Sequence, residues 1–192
     1  MKYGKQYRAA AICGFVLTVL GIIVWFVYVQ IEIQRGIAQW ERLGGGVNVH
    51  TNARFGPDEM LLGSMPGISN SDNWTSICDA AILLNGVGGC RKLALINLGW
   101  SCEAYRRLLR ELQLEQLSLS DERIDTCLVE YLANRKDIKC LRIGEGLSAD
   151  HVRYLLRQSP SLRMDLSRGK LAIEDCHALQ GEFGSRLQIF GL

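Results

Sequence analysis

A run of 21 residues without a charged side chain, residues 9–29, constrains this chain more than any other feature. As an α-helix rising 1.5 Å per residue, the run would be roughly 30 Å long, which matches the hydrocarbon thickness of a bilayer. Inside lipid, a helix also satisfies its own backbone hydrogen bonds. The sequence therefore predicts one transmembrane helix over residues 9–29, with the lipid bilayer as a partner of the chain.

Two other interpretations of this run are a cleaved signal peptide and a buried core helix. Lys2, Lys5 and Arg8 precede the run, as cations do in a signal peptide. The run is, however, longer than a typical signal-peptide core, and it ends in an aromatic-rich segment (residues 25–28, WFVY) rather than in a small-x-small cleavage site. Aromatic residues at this position are typical of a membrane interface, so an uncleaved anchor is favoured.

The flanking charges predict the orientation. Three cations precede the span, whereas Glu32 and Arg35 cancel just after it, so residues 1–8 are expected in the cytoplasm and the following domain on the extracytoplasmic side. The chain has a net charge of +2, and without the three N-terminal cations the remainder has −1. A nucleic-acid-binding protein would have a strongly basic face, so no nucleic-acid partner is expected.

Residues 30–46 are expected to extend the membrane helix beyond the bilayer. Ile33, Ile37 and Trp40 fall on one helical stripe, and three consecutive glycines, residues 44–46, end the pattern. We expect Trp40 to pack against a cap of the domain or against the membrane surface.

Residues 47–80 are interpreted as a capping and loop region. Val47, Val49 and Thr51 alternate with polar neighbours, which predicts a short edge strand. Residues 56–73 are rich in Gly, Pro, Ser and Asn, which is typical of loops.

Residues 81–192 repeat a pattern of short strands and helices. A strand pattern, apolar-x-apolar, recurs at offsets of 21, 24, 23 and 23 residues, and a helix pattern, apolar-x4-apolar-x2-Leu, lies between the strands. The strand pairs are Ile96 and Leu98, Leu117 and Leu119, Leu141 and Ile143, Met164 and Leu166, and Leu187 and Ile189. The helix anchors are Trp100, Tyr105 and Leu108; Ile124, Val129 and Leu132; Leu147, Val152 and Leu155; and Leu171, Cys176 and Leu179. Residues 81–84 (AILL) are expected to add a degenerate first strand without a helix.

The spacing of this repeat predicts the fold class. Period two points the paired strand residues to one side, and the anchors fall on one face of a short helix. Each unit buries little alone, but stacked units join their apolar faces into one core. A period of 23 to 24 residues lies within the roughly 20 to 29 residues of leucine-rich repeats. The predicted fold is α/β: a short leucine-rich-repeat solenoid of parallel strands with outer helices, behind one N-terminal transmembrane helix.

Two segments carry a family resemblance. Residues 38–47 (AQWERLGGGV) and residues 117–132 (LSLSDERIDTCLVEYL) resemble the bacterial membrane-anchored leucine-rich-repeat domain proteins, in which a signal-anchor helix and a charged extension ending in Leu-Gly-Gly precede the repeats. Together with the other repeats, the resemblance covers most of the chain after residue 36. It implies a role in protein interaction and provides no catalytic residues to transfer.

No arrangement typical of a catalytic, cofactor or metal site is visible in the sequence. His50, His151 and His177 lack a Cys, Asp or Glu at metal-binding spacing on the same face. The glycine-rich residues 86–89 lack the Lys-Ser/Thr of a phosphate-binding loop and are interpreted as a turn. No GxSxG or HExxH motif occurs. We therefore expect no enzyme activity, no cofactor and no metal.

The seven cysteines allow two interpretations. Cys13 lies within the span, and the other six have no CxxC spacing, so they are either small core hydrophobes or disulfide partners that an exported domain would permit. The repeat alignment places Cys127 and Cys140 off the core positions. These two are therefore the cysteines expected to oxidise or to pair between chains.

The residues between the buried strand positions are expected to line the concave face of the solenoid. One expected row consists of Asn97, Ser118, Arg142, Asp165 and Gln188. The next expected row consists of Leu95, Gln116, Cys140, Arg163 and Arg186. Three arginines would then lie on one wall, which favours a membrane-tethered module that binds an unidentified protein partner there. The alternative is a small structural subunit of a membrane assembly, packing through its span and the stripe of Ile33, Ile37 and Trp40.

Overall fold

The computed structural model describes residues 3–48, 57–63, 74–120, 124–144, 146–169 and 171–191. The helices within these residues are α1 (Tyr3–Arg42), α2 (Trp74–Gly86), α3 (Cys102–Arg110), α4 (Thr126–Ala133), α5 (Ala149–Gln158) and α6 (Ile173–Phe183). The strands are β1 (Gly45–Asn48), β2 (Glu59–Gly63), β3 (Lys92–Ile96), β4 (Gln116–Ser120), β5 (Cys140–Ile143), β6 (Arg163–Ser167) and β7 (Leu187–Phe190). Val49, Thr51 and His50 lie outside the described residues, as do the first two residues of the predicted cytoplasmic N-terminus.

The seven strands form one sheet in sequence order. β1 pairs antiparallel with β2, and every later pair is parallel. Parallel neighbours require crossover connections, and the helices α2 to α6 each lie between two successive parallel strands in the chain. The protein is therefore an α/β protein with a mostly parallel sheet and one long apolar N-terminal helix, as predicted at this coarse level.

One face of the sheet carries large apolar side chains that form the core with the helices. These residues alternate along each strand because successive strand side chains point to opposite faces. The first buried row is Met60, Leu93, Leu117, Leu141, Met164 and Leu187. The second is Leu62, Leu95, Leu119, Ile143, Leu166 and Ile189. None of these side chains is more than 7% exposed.

The register corrects the predicted alignment at β3. Leu93 and Leu95 occupy the buried rows, so the predicted pair Ile96 and Leu98 was wrong. Four consecutive apolar residues (LALI) hide the period-two pattern of this strand, and Asn97, with a φ of +50°, lies just beyond its end. With the corrected alignment, the strands β3 to β7 follow each other at 24, 24, 23 and 23 residues.

The predicted helix anchors are confirmed in α3 to α6. The second and third anchors are buried in the helices: Tyr105 and Leu108, Val129 and Leu132, Val152 and Leu155, and Cys176 and Leu179. The first anchors lie before the helices, where Ile124, Leu147 and Leu171 are buried and Trp100 is partly buried. Ser101, Asp125 and Ser148 precede three of these helices, and each side chain accepts a hydrogen bond from a backbone N–H of the first turn. Such caps pair N–H groups that a helix leaves without intrahelical acceptors.

The first unit differs from the prediction. Residues 81–84 belong to helix α2 rather than to a strand, and its buried residues Ile77, Ala80, Ala81 and Leu84 follow helical spacing. The first parallel strand is instead β2, which lies in the region predicted to be cap and loop. A short apolar run fits a strand and a buried helix equally well, which explains the error. The parallel part of the sheet therefore begins with β2, and α2 is its first crossover helix.

α1 is one continuous helix of 40 residues that has two environments. Its segment Ile12–Arg42 is long and apolar enough to cross a membrane, and the large apolar side chains in its N-terminal part are exposed. Ile33 and Trp40, in contrast, are 2% and 0% exposed because they pack on the domain. The Trp40 Nε1 donates to the carbonyl oxygens of Gly46 (3.1 Å) and Leu61 (2.9 Å). Of the two environments expected for Trp40, the structure shows packing on the domain, against β1 and β2.

Candidate interaction surface

The open face, defined as the face of the sheet opposite the helices, has a different composition. Its middle row is Leu61, Ala94, Ser118, Arg142, Asp165 and Gln188. The row towards the strand starts is Glu59, Lys92, Gln116, Cys140 and Arg163. Towards the strand ends lie Gly63, Ile96 and Ser120, and then Ser167 and Phe190.

The structure brings five of the seven predicted site residues onto this face. Ser118, Arg142, Asp165 and Gln188 occupy four successive strands of the middle row, in the predicted order. Arg163 is exposed in the neighbouring row, next to Cys140. The predicted arrangement of these five residues follows from the correct register of β4 to β7.

The other two predicted residues lie elsewhere. Asn97 is exposed but lies beyond the end of β3, and Ala94 takes its expected place in the row. Arg186 is in a short 3-10 turn before β7, where its guanidinium donates to the carbonyl oxygens of Leu156 (3.0 Å) and Pro160 (3.0 Å). The Arg186 guanidinium therefore caps the end of α5. The prediction that Arg142, Arg163 and Arg186 lie together on the concave face is wrong for Arg186.

The same alignment error affects Leu95, which was expected to be exposed beside the arginines. It is 1% exposed in the core, and Lys92 is the residue of β3 that aligns with Gln116 on the open face.

A groove of about 450 Å³ runs along the open face. Small residues from β3, β4 and β6 and from the position just after β5 line it: Ala94, Ser118, Ser120, Ser167 and Gly144. Ile96 and Phe190, which also line it, are 41% and 50% exposed. These two exposed apolar side chains were missed from the sequence, although they follow the middle row by two residues in their strands, as period two requires.

The charges at the groove are paired across two strands. The Arg142 Nε donates to the Asp165 Oδ2 at 3.0 Å, with the side chains 55% and 24% exposed. A pair this exposed contributes little to stability. The groove therefore presents one positive and one negative side chain next to each other, and not a surface with charge of a single sign.

Cys140 lies beside this pair as a free thiol. Burial raises the pKa of the Cys140 thiol, the negative charge of Asp165 raises it further, and the smaller influences of Arg142 and Arg163 lower it. The thiol is therefore protonated at neutral pH and is not activated as a nucleophile.

Two other cysteines form a cross-link on the helical side. Cys102 and Cys127 are joined by a disulfide with a Cα–Cα distance of 6.2 Å, which connects the first turns of α3 and α4. The expectation that Cys127 is off the core and oxidises is confirmed, but its partner is Cys102 of the same chain and not a cysteine of a second chain. Cys140, for which the same was expected, is a free thiol. A carboxylate oxygen of Asp125 and the two sulfur atoms lie within 4.8 Å of one another. A disulfide lacks the thiolates that a metal would need, so this group acts as a covalent tie.

Comparison with known proteins finds no match: no protein-family profile, curated protein or solved structure is significantly similar to the chain.

Proposed function

We propose that the protein is a membrane-tethered interaction module of the leucine-rich-repeat type that binds a protein partner in the open-face groove. The observation that carries the proposal is the groove itself, in which Ile96 and Phe190 remain exposed beside the Arg142–Asp165 pair. Exposed apolar side chains rimmed by polar groups are typical of protein interfaces. The strand spacing of 23 to 24 residues supports the repeat type.

The proposed topology is a single span with the N-terminus in the cytoplasm and the domain on the extracytoplasmic side. The charge distribution around the span supports this orientation. The Cys102–Cys127 disulfide is independent support, because disulfides persist in oxidising compartments outside the cytoplasm.

Photocrosslinking in intact membranes tests the groove. A photoreactive amino acid at Ser118 should capture one defined protein, whereas the same group at Tyr154, exposed on α5, should not. Filling the groove with Ser167→Trp should remove capture by a second probe at Gln188, while Tyr154→Ser should leave that capture unchanged. Equal capture from Ser118 and Tyr154, or capture that survives the filled groove, would refute the proposal.

A second candidate is a structural subunit of a membrane assembly that packs through α1. The large apolar side chains of α1 between Ile12 and Ile31 are exposed, which favours it. The predicted contact of Ile33 and Trp40 with neighbouring proteins is not part of this candidate, because both side chains are buried in their own domain. Replacing residues 12–29 by an unrelated apolar span should then abolish assembly, and an intact complex would exclude this role.

A further inference from the structure

The contacts of α1 fix the direction of the sheet relative to the apolar part of this helix. The Gln39 side chain donates to the carbonyl oxygen of Ser76 near the start of α2 (3.3 Å), whereas Gly36, one turn earlier in α1, packs against Leu84 near the end of α2. The two helices therefore run antiparallel. α1 also turns back directly into β1, which is antiparallel to β2. The strands β2 to β7 consequently run in the direction of α1, away from its apolar N-terminal part.

This direction places one edge of the sheet near the apolar part of α1. We call it the strand-start edge: the edge where β2 to β7 begin and α2 to α6 end. Val29, the last residue of the predicted transmembrane span, lies seven residues before Gly36, or ~10 Å along the helix. The loop after α2 extends about one turn, ~5 Å, beyond Leu84 towards Val29. If Val29 marks the hydrocarbon boundary, the loop lies at the depth of the headgroups, a layer roughly 5–7 Å thick in each leaflet.

The side chains at this edge suit a headgroup layer. The loop itself, residues 86–89 (GVGG), has no charge, and Val87 is 40% exposed. Beyond it, four cations have no carboxylate within 4.0 Å among the residues that the structure describes. They are Arg91, Lys92, Lys136 and Arg163.

Most carboxylates at this edge are already paired. Glu111, Glu115, Asp137 and Glu182 each form an ion pair with a cation of the domain. Asp58 and Glu59 are further acidic residues at the start of β2, and Glu59 is the register partner of Lys92 on β3.

Two of the four cations have neutral acceptors inside the domain. Lys136 donates to the carbonyl oxygen of Gln158 at the end of α5 (3.1 Å). Arg91 donates to the backbone and side-chain oxygens of Gln113 (both 3.2 Å). Because these acceptors are neutral, the positive charges of the four side chains remain available to an external anion.

We infer that the strand-start edge rests on the phospholipid headgroups of the membrane that α1 crosses, with Arg91, Lys92, Lys136 and Arg163 contacting lipid phosphates. The inference rests on the transmembrane part of the proposed function and is independent of the groove. A basic residue held at an anionic bilayer surface strengthens membrane contact by about fivefold. The sheet then stands on the membrane, and the groove opens sideways, towards other proteins in the same bilayer.

Photocrosslinking to lipid tests this arrangement in the full chain. The protein would be placed in nanodiscs of phosphatidylcholine, with or without phosphatidylglycerol, and a photoreactive amino acid introduced at Leu20, Val87, Ser161 or Ala172. Ser161 lies in the loop before β6, at the strand-start edge, and Ala172 lies before α6, at the opposite edge. Lipid adducts are expected at Leu20, Val87 and Ser161 and not at Ala172.

Charge reversal tests whether the cations cause the contact between the strand-start edge and the lipid. In the chain probed at Ser161, the double variant Lys136→Glu/Arg163→Glu should lower the phosphatidylglycerol-dependent adduct yield at least about fivefold. The matched variant Arg168→Glu, beyond the end of β6, should not change that yield. Circular dichroism should show that both variants are folded.

The outcomes separate the two proposals. No adduct at Leu20 would refute the transmembrane helix. An adduct at Leu20 without adducts at Val87 and Ser161 would refute the edge contact alone. Adducts at Ser161 that do not respond to phosphatidylglycerol or to charge reversal would refute the assignment of the four cations to lipid phosphates.

Discussion

The two faces of the sheet are built from the same strands but follow different rules. On the helix-facing side, every alternate residue is a large apolar side chain that is at most 7% exposed. On the open face, the corresponding residues range from Ala94 and Ser118 to Arg142 and Phe190. A polar group without a partner would be costly on the first side, whereas the second side places no such demand. The open face is therefore where the choice of residues carries information about function.

Two adjacent residues of β5 allow the buried face and the open face to be compared within one strand. Leu141 is 1% exposed in the core, and Arg142 is the next residue, on the open face. We expect Leu141→Ala to lower the free energy of unfolding by about 3 to 4 kcal/mol, because it leaves a cavity among packed side chains. Arg142→Ala should change it by less than about 0.5 kcal/mol. Chemical denaturation of the full chain in detergent, followed by circular dichroism, measures both, and similar losses would show that the two faces are equally constrained.

The disulfide on the helical side should have the next largest effect. Cys102 and Cys127 are separated by 25 residues, and in the chain-entropy model a cross-link over such a loop stabilises the protein by about 3 kcal/mol. The variant Cys102→Ser/Cys127→Ser should lose about this amount. Cys140→Ser is the matched control, because that thiol is free and on the open face. A double variant as stable as the wild type would mean that the helices hold together without the cross-link.

Arg135 ties two helical units together at the strand-start edge. Its guanidinium donates to the carbonyl oxygen of Leu112 (2.8 Å), to the hydroxyl of Tyr131 (3.1 Å) and to a carboxylate oxygen of Asp137 (2.7 Å). Because the side chain is only 14% exposed, Arg135→Ala should leave these acceptors poorly solvated and cost about 2 kcal/mol. Arg163→Ala, which removes an exposed cation, is the control and should cost much less. Equal thermal unfolding of the two variants would contradict the structural role of Arg135.

Asp137 gives the same site a pH dependence. Burial alone would raise the pKa of Asp137, but hydrogen bonds from Arg135 and from the backbone N–H of Leu114, together with the charge of Arg135, lower it overall. A lowered pKa means that the carboxylate stabilises the fold above about pH 4 and that this stabilisation disappears as the pH falls further. Because the side chain is 37% exposed, the effect should be below about 1 kcal/mol. Asp137→Asn should flatten the acid limb of the stability curve, and an unchanged limb would exclude this contribution.

The strands and helices that could be predicted are those with an unambiguous period. In β4 to β7, one polar residue separates two apolar residues, so the buried and open positions follow directly from the sequence. In β3, four apolar residues in a row remove that information, and the first row position was misassigned to Asn97. β2 was missed because its short run (MLL) lies next to loop-like residues and its 33-residue distance from β3 departs from the repeat.

The part of the site that could not be predicted depends on contacts between distant residues. Arg186 fits the sequence pattern of the open face, but the turn before β7 directs its guanidinium to the end of α5. The pairing of Cys127 with Cys102 depends on how neighbouring helices align, which the spacing of cysteines does not specify. Sequence periodicity therefore assigns residues to a face, while side-chain pairing requires the packed structure.

Exchanging the two charges on the open face should have the smallest effect on stability and a large effect on binding. The double variant Arg142→Asp/Asp165→Arg keeps an ion pair between β5 and β6 but reverses its polarity, so the free energy of unfolding should change by less than about 0.5 kcal/mol. If the partner recognises the order of these charges, capture through a photoreactive group at Ser118 should be lost, because like charges would then meet across the interface. The conservative variant Asp165→Glu, which preserves the polarity, should retain capture. If the exchanged variant still captures the partner fully, the charge order does not determine binding, and the groove between Ile96 and Phe190 does. The open face would then resemble the buried face, because the shape of its side chains would matter more than their charge.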